Sequence, residues 1–198
     1  MKRVVALFAG VVLTGCTFID QKVEIQPQLD GPLGGNLGNG KQVGLRVVDE
    51  REDFVLGKRG TGMVEGAKIT TEQDVRQLFA DSIAQGLRQS GFLPILELEG
   101  APTAVRVEIR SLQYDVSMGL WTGSNMGKAS IKVLANNAGK TYGHVYRGQK
   151  EIRTMWVASQ ETNAKIINGA VSDVLRNMFA TNNSSNSSRS SASRSGWS

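Results

Sequence analysis

One mixed or antiparallel β-sheet with two amphipathic helices packed on one face, an α+β fold, is what this sequence predicts. Three observations lead there. Apolar residues alternate at strand spacing in several stretches, two longer stretches repeat them at helical spacing, and a turn-forming cluster separates two of the strands. The expected folded unit runs over residues 42–180.

Gln42 to Val48 puts Val43, Leu45 and Val47 on one face, which predicts a half-buried strand. Thr71 with Asp74 three residues on resembles a capping box with Asp in place of Glu, and Val75, Leu78, Phe79, Ile83 and Leu87 follow at helical spacing. Gly91 ends this helix by taking the left-handed conformation, with Phe92 folded back on the apolar face. Val105, Val107 and Ile109 alternate in the strand Ala104 to Ile109. Ala129, Ile131, Val133 and Ala135 alternate up to Asn136-Asn137-Ala138-Gly139, and the chain returns through Tyr142 to about Trp156 as a β-hairpin. A second helix starts near Ser159 or Thr162 with Ile167, Ala170, Val171, Val174, Leu175 and Met178 on one stripe. Both helices must lie on something apolar, and the strands supply it. Nothing in the pattern accounts for the opposite face of the sheet.

Ahead of this unit, Lys2 and Arg3 precede an apolar run from Val4 to Leu13, too short for the roughly 20 residues that span a bilayer. The run ends in Leu13-Thr14-Gly15-Cys16, a small-residue cleavage site followed at once by the only cysteine, which reads as a bacterial lipobox. Residues 1–15 are therefore expected to be a lipoprotein signal peptide, cut by signal peptidase II between Gly15 and Cys16 once the Cys16 thiol carries diacylglycerol. Thr17 follows where an Asp would retain a Gram-negative lipoprotein in the inner membrane, so the outer membrane is expected, with the domain facing the periplasm. Residues 16–41, with Pro27, Pro32 and the Gly-rich run Gly31 to Gly40, read as a lipidated N-terminus and flexible tether with a short strand at Lys22 to Ile25. Residues 181–198 are almost wholly Ser, Asn and Arg and are expected to be a disordered tail, with Trp197 incidental.

The formal charge of +5 on 198 residues looks basic, yet Lys2, Arg3, Arg189 and Arg194 lie outside the domain and leave 19 basic against 18 acidic residues. That balance argues against a nucleic-acid partner, which needs a clustered positive face. With Cys16 acylated no thiol remains for a disulfide, and 40% hydrophobic content must supply stability through packing.

The order of lipobox, first strand ending in Val48-Asp49-Glu50-Arg51, Gly57-Lys58-Arg59 loop, helix ending Ser90-Gly91-Phe92 and then Leu112-Gln113-Tyr114-Asp115-Val116 resembles the YajG-type lipoproteins. Ser159, Asn163 and the Val171 to Met178 stripe continue the resemblance, which reaches to about Phe179 and rests on order and spacing. It implies an envelope-anchored α+β domain and no established activity. The Ser-rich tail departs from it.

No constellation reaches a catalytic or metal pattern, and no cofactor is expected. Asp49, Glu50, Glu52 and Asp53 crowd around Arg51, but the Gly and distal Glu of a calcium loop are missing; a solvated strand end is the plainer reading. Asp49 and Arg51 could instead join Arg59 across the loop as a structural ion cluster, a use the resemblance favours. Gly57-Lys58-Arg59-Gly60-Thr61-Gly62 lacks P-loop spacing and reads as a mobile hairpin tip. His144, the only histidine, has no nucleophile elbow and no second zinc ligand, so it reads as a strand-surface or core residue. Met118-Gly119-Leu120-Trp121-Thr122-Gly123, with Met126, is more apolar than a loop should be and either buries beneath the sheet, the favoured reading, or forms a contact patch.

These features predict a non-enzymatic lipoprotein held to the membrane by its N-terminal lipid, binding or supporting another envelope component. The alternative is a carrier of a small amphiphile, a lipid or cell-wall fragment, held between helices and sheet. A lined cavity of a few hundred Å³ favours the carrier; a flat apolar patch favours the support role.

Overall fold

Three long strands form the spine of a single mixed sheet in the computed structural model, which describes residues 19–29, 33, 36–59, 66–96, 101, 103–118, 123–155 and 158–192. The elements run β1 (Gln21–Lys22), β2 (Gln42–Asp49), β3 (Gly57–Lys58), β4 (Lys68–Thr70), α1 (Val75–Gln89), β5 (Leu93–Ile95), β6 (Thr103–Met118), β7 (Gly123–Asn137), β8 (Lys140–Thr154) and α2 (Gln160–Ala192). β6 is the pivot. One of its edges pairs antiparallel with β7 from end to end, and β7 pairs with β8 across a two-residue turn in which Ala138 (φ 49°) and Gly139 (φ 80°) are both left-handed. Its other edge is shared between β2, parallel from Gly44↔Ala104 to Asp49↔Ile109, and β3, which meets it at Gly57↔Tyr114. β5 continues the sheet beyond β2, while β4 and β1 continue it beyond β3.

A bulge between Ile109 and Ser111 explains why strand alternation fails there in the sequence. Before it the odd-numbered Val107 and Ile109 are buried; after it the even-numbered Leu112 and Tyr114 are. The inserted residue keeps both halves of β6 facing the helices.

The helix ends are defined by hydrogen bonds. Asp74, not Thr71, caps α1: its backbone is extended and its carboxylate accepts from Gln77 N at 3.0 Å, while the Thr71 hydroxyl accepts from Gln73 N. At the other end Gly91 (φ 81°) donates to Arg88 O and Phe92 to Leu87 O, both at 2.9 Å, the paired bonds of a Schellman closure. Ser159 caps α2 by accepting from Thr162 N, and all six stripe residues from Ile167 to Met178 are buried.

Both helices share one apolar core with the inward faces of β2, β6 and β7. The approach of α2 is close: a Cβ on Gly148 would lie 2.2 Å from Val174 N, and one on Gly127 would lie 2.8 Å from Ile166 O. The helices meet where the Phe179 ring fills the space of a side chain at Gly86, whose Cβ would come within 2.3 Å of it.

Residues 19–41, expected as a tether, belong to the folded unit over their described part. β1 pairs with β4, the Ile25 backbone exchanges two hydrogen bonds with the Gln73 side chain before α1, and Gln26 N and Gln28 N donate to Asn168 and Ser172 of α2. Farther on, Leu33 O accepts from Ser90 Oγ at the end of α1. The segment is thus a strap laid between the helices. Its Val23, Ile25 and Leu33 are buried, and this apolar insertion outweighs the helix- and strand-poor composition that reads as a tether.

The opposite face of the sheet carries charge. Glu50 bridges Arg106 (3.1 Å) and Arg110 (2.6 Å), and Glu108 lies among Arg106, Arg110 and Lys132. The half-exposed Glu50 pairs keep this face wet more than they stabilise it, while Glu108 is buried beneath its three cations. Beyond Thr181 the backbone of α2 continues as helix to Ala192, past the point where the sequence predicts order to end. Propagating a formed helix needs no new nucleus.

Candidate functional site

Beside the buried Leu33 the core opens into a cleft of about 410 Å³. Its floor is apolar sheet: Val43 of β2, Val105 of β6, Val133 and Ala135 of β7. Leu87 and Phe92 form the α1 wall, and Met178 and Phe179 the α2 wall. Val105 and Ala135, which the core alternation turns inward, stay half-buried on this floor, while Val43 and Val133 are buried.

Polarity is confined to the edges of this space. Ser90 Oγ lines it but is committed to Leu33 O and Gly86 O, and Thr103 Oγ1 is committed to Asn137. At the mouth stand Tyr142, 62% exposed, and His144, whose ring centroid is 4.6 Å from that of Tyr146. An apolar body with a polar end matches this gradient, since aromatic residues with a polar tip suit a boundary that is dry on one side and wet on the other.

A second constellation lies at the far end of β6. The Tyr114 hydroxyl is 2.8 Å from the Asn125 amide and 2.6 Å from the Asn163 amide, which is 2.7 Å from Gln21. A phenol carries one proton, so it donates to one amide and accepts from the other. Turning the Gln21 amide lets its oxygen accept from Arg59 Nη1 at 3.0 Å, and turning Asn163 with it yields one directed chain from Arg59 through Gln21, Asn163 and Tyr114 to Asn125. Asn125 passes it on to Thr154 Oγ1 at 2.9 Å. Burial pushes the Tyr114 hydroxyl up to about 12, with the Arg59 charge opposing, so the phenol is neutral at any physiological pH. This cluster ties β1, α2 and the β6–β8 spine together; it offers no open space to a substrate.

The residues singled out in the sequence fall as follows. Gly15 and Cys16 lie outside the described residues, as do residues 60–62, 119–122 and 193–198, with Gly60, Gly62, Leu120, Trp121 and Trp197 among them, whereas Gly57 and Lys58 form β3. Asp49 and Arg51 form a two-point ion pair at 2.8 and 2.7 Å, with Phe54 over the guanidinium. Arg59 does not join them: it hydrogen-bonds Ala158 O instead. Asp49 is level with Ile109 on β6 and Gly57 with Tyr114, five residues farther along, roughly 16 Å at strand rise. His144 lies on the rim of the cleft. Among the described residues no group of His, Cys, Asp and Glu is arranged to hold a metal ion, and no helix is long and apolar enough to cross a membrane. Sequence reasoning misses Gln21 and Asn125; Asn163 enters it only through the family resemblance, although a polar residue on the apolar stripe of a helix signals a buried partner.

Residues 27–185 match the family model described as uncharacterized lipoprotein. No curated protein matches. Among solved structures, a Xanthomonas campestris protein of the DUF330 family is similar at TM-score 0.54 and 11% identity, over 87% of this chain and 98% of that one. A Helicobacter pylori protein described as a neuraminyllactose-binding hemagglutinin homolog aligns at TM-score 0.49 and 10% identity, over 83% and 97% of the two chains. The Xanthomonas likeness shows a shared fold alone.

Proposed function

The chain belongs to the family of uncharacterized lipoproteins, and from that membership we propose an outer-membrane lipoprotein, anchored through Cys16 with its domain in the periplasm, that carries a small amphiphile in its cleft. Within the family we place it with the YajG-type lipoproteins, on the order of motifs from Asp49 to the final helix. The observation that carries the reading is the cleft: about 410 Å³ of apolar lining with Tyr142 and His144 at its mouth. A flat patch would have favoured the support role. We read the domain as one that binds: the Tyr114 hydroxyl is neutral and enclosed, and the space open to a ligand is the apolar cleft.

Native mass spectrometry of the domain taken from periplasm tests this. The expected result is a lipid-sized adduct lost on solvent extraction and absent from Ala135→Trp, which fills the floor of the cleft, while the variant melts cooperatively. A wild-type domain that neither retains nor rebinds any amphiphile, or an Ala135→Trp variant that binds equally, refutes the reading. One observation keeps the support role in view: Leu37 and Tyr142, which line the cleft, are exposed, and a partner's side chain would fit between them.

A further inference from the structure

We infer that the end of the domain carrying β1, β3 and β4 is its bilayer-contacting surface, matched to anionic lipid headgroups, and that the cleft opens into water at the opposite end. The inference rests on lipidation of Cys16, and its consequence for cargo rests on the carrier reading.

Chain length supplies the first argument. Cys16 is three residues from Ile19, and fixed structure begins at once: the Asp20 carboxylate accepts from Lys68 N at 2.7 Å, β1 pairs with β4, and Lys22 O accepts from Gln160 of α2. Three residues reach at most about 11 Å fully extended. The lipid therefore holds this end of the domain against the headgroups, where a flexible segment through residue 41 would have let it drift far from the membrane.

Surface chemistry supplies the second. Lys58 is directly opposite Lys68 across β3 and β4, and Lys22 is opposite Thr70, two residues along the same face as Lys68. Three lysines thus share one face, and only Lys22 has an ion-pair partner among the described residues, Glu72. Like charges directly opposite are unfavourable in a sheet unless an anion lies over them. At the same end Ile19 and Met155 are 69% and 78% exposed, apolar residues suited to the interface between headgroup and acyl chain. A row of lysines beside exposed apolar side chains is the composition that anionic bilayers attract.

The third is the position of the cleft. Tyr114, level with β3, and Val105, in the cleft floor, are nine residues apart along β6, roughly 30 Å at strand rise. A carrier standing in this way cannot draw cargo from the leaflet in which it is anchored. It exchanges cargo with a component across the aqueous space.

The lipid consumes the Cys16 thiol, so an introduced cysteine is the only thiol available for a fluorophore. The lipidated protein is reconstituted in phosphatidylglycerol-containing vesicles with an energy acceptor on the headgroups. Labels at Met155→Cys are expected to transfer several-fold more efficiently than labels at Lys140→Cys, and a Gly/Ser insert between Thr17 and Phe18 together with Lys58→Glu and Lys68→Glu is expected to abolish the difference. Equal transfer from the two positions, or more from position 140, overturns the inference, because the domain then lies flat, inverted or free. Failure of the protein to float with vesicles overturns the anchor reading and the inference with it. Loss of amphiphile binding in the lipid-free domain refutes the carrier reading and leaves the orientation standing.

Discussion

Gly148→Ala tests how tightly α2 is pressed onto the sheet. The new Cβ would lie 2.2 Å from Val174 N and 2.4 Å from Ala170 O, where ordinary contact begins near 3.4 Å, and both are backbone atoms that no rotamer change can move. The helix has to withdraw by about 1 Å, and a gap of that size forfeits a quarter to a half of each contact's attraction. Suppose four of its buried side chains, Ala170, Val171, Val174 and Leu175, each lose a quarter of about 20 sheet-facing contacts worth ~0.15 kcal/mol apiece. The loss is then about 3 kcal/mol, the upper end of what overpacking costs. The reduced freedom of the unfolded chain returns about 0.4–1 kcal/mol, so the net loss is about 2 kcal/mol. Urea unfolding of the lipid-free domain, followed by far-ultraviolet circular dichroism, should show a lower midpoint with an unchanged slope. Gly139→Ala is the control: nothing lies within 4 Å, and only the left-handed backbone opposes it, at about 1 kcal/mol. A Gly148→Ala domain as stable as the wild type would refute the close approach of helix and strand.

Tyr114→Phe should cost about 1–3 kcal/mol at neutral pH by leaving the amides of Asn125 and Asn163 short of a partner. The raised folded value of about 12 also gives stability that is complete below pH 10 and lost as pH rises toward 12, so the gap between wild type and variant should narrow over that range in paired urea melts. A constant gap would mean the phenol is not buried. Val174→Asp places an unpaired carboxylate at a fully buried site, at a cost of several kcal/mol that approaches the whole stability of a domain, whereas Lys165→Asp on the exposed side of α2 should melt like the wild type. Similar melting of the two would remove the helix-on-sheet packing. Cys16→Ser should block lipidation and signal peptidase II cleavage; a mature-sized Ser variant recovered with outer membranes would refute the anchor.

Periodicity alone makes most of the layered core legible in the sequence. The stripe from Ile167 to Met178 and the alternations of Val43, Val107 and Ile131 are set by which side chains must leave water, and local spacing records that directly. What stays hidden depends on partners distant in sequence. β1, β3 and β4 are two or three residues each, too short for alternation to register, and they exist because β6 outruns β2 and leaves an edge to be paired. The strap reads as a tether because Gly31 to Gly40 has the composition of a linker, while its anchoring contacts come from Gln73, Ser90, Asn168 and Ser172. The cleft is illegible for a related reason. Val105 and Ala135 look like any core residue, and only the packing of elements distant in sequence leaves them half-buried beside an open space.

The strap also sets an order of events. Gln26 and Gln28 take their partners from α2, 142 and 144 residues farther along the chain. Closing a loop of that length costs about 4 kcal/mol beyond a constant, so the closure follows the assembly of the sheet and both helices. Under the proposed anchor at Cys16, the segment first held at the membrane is the last to be fixed to its own domain. Until it closes, the domain presents an unsealed seam with Val23 and Ile25 outside it, open to holdases and proteases. Pulsed amide exchange during refolding would find the amides of Ile25 and Gln28 protected after those of β6 and β7.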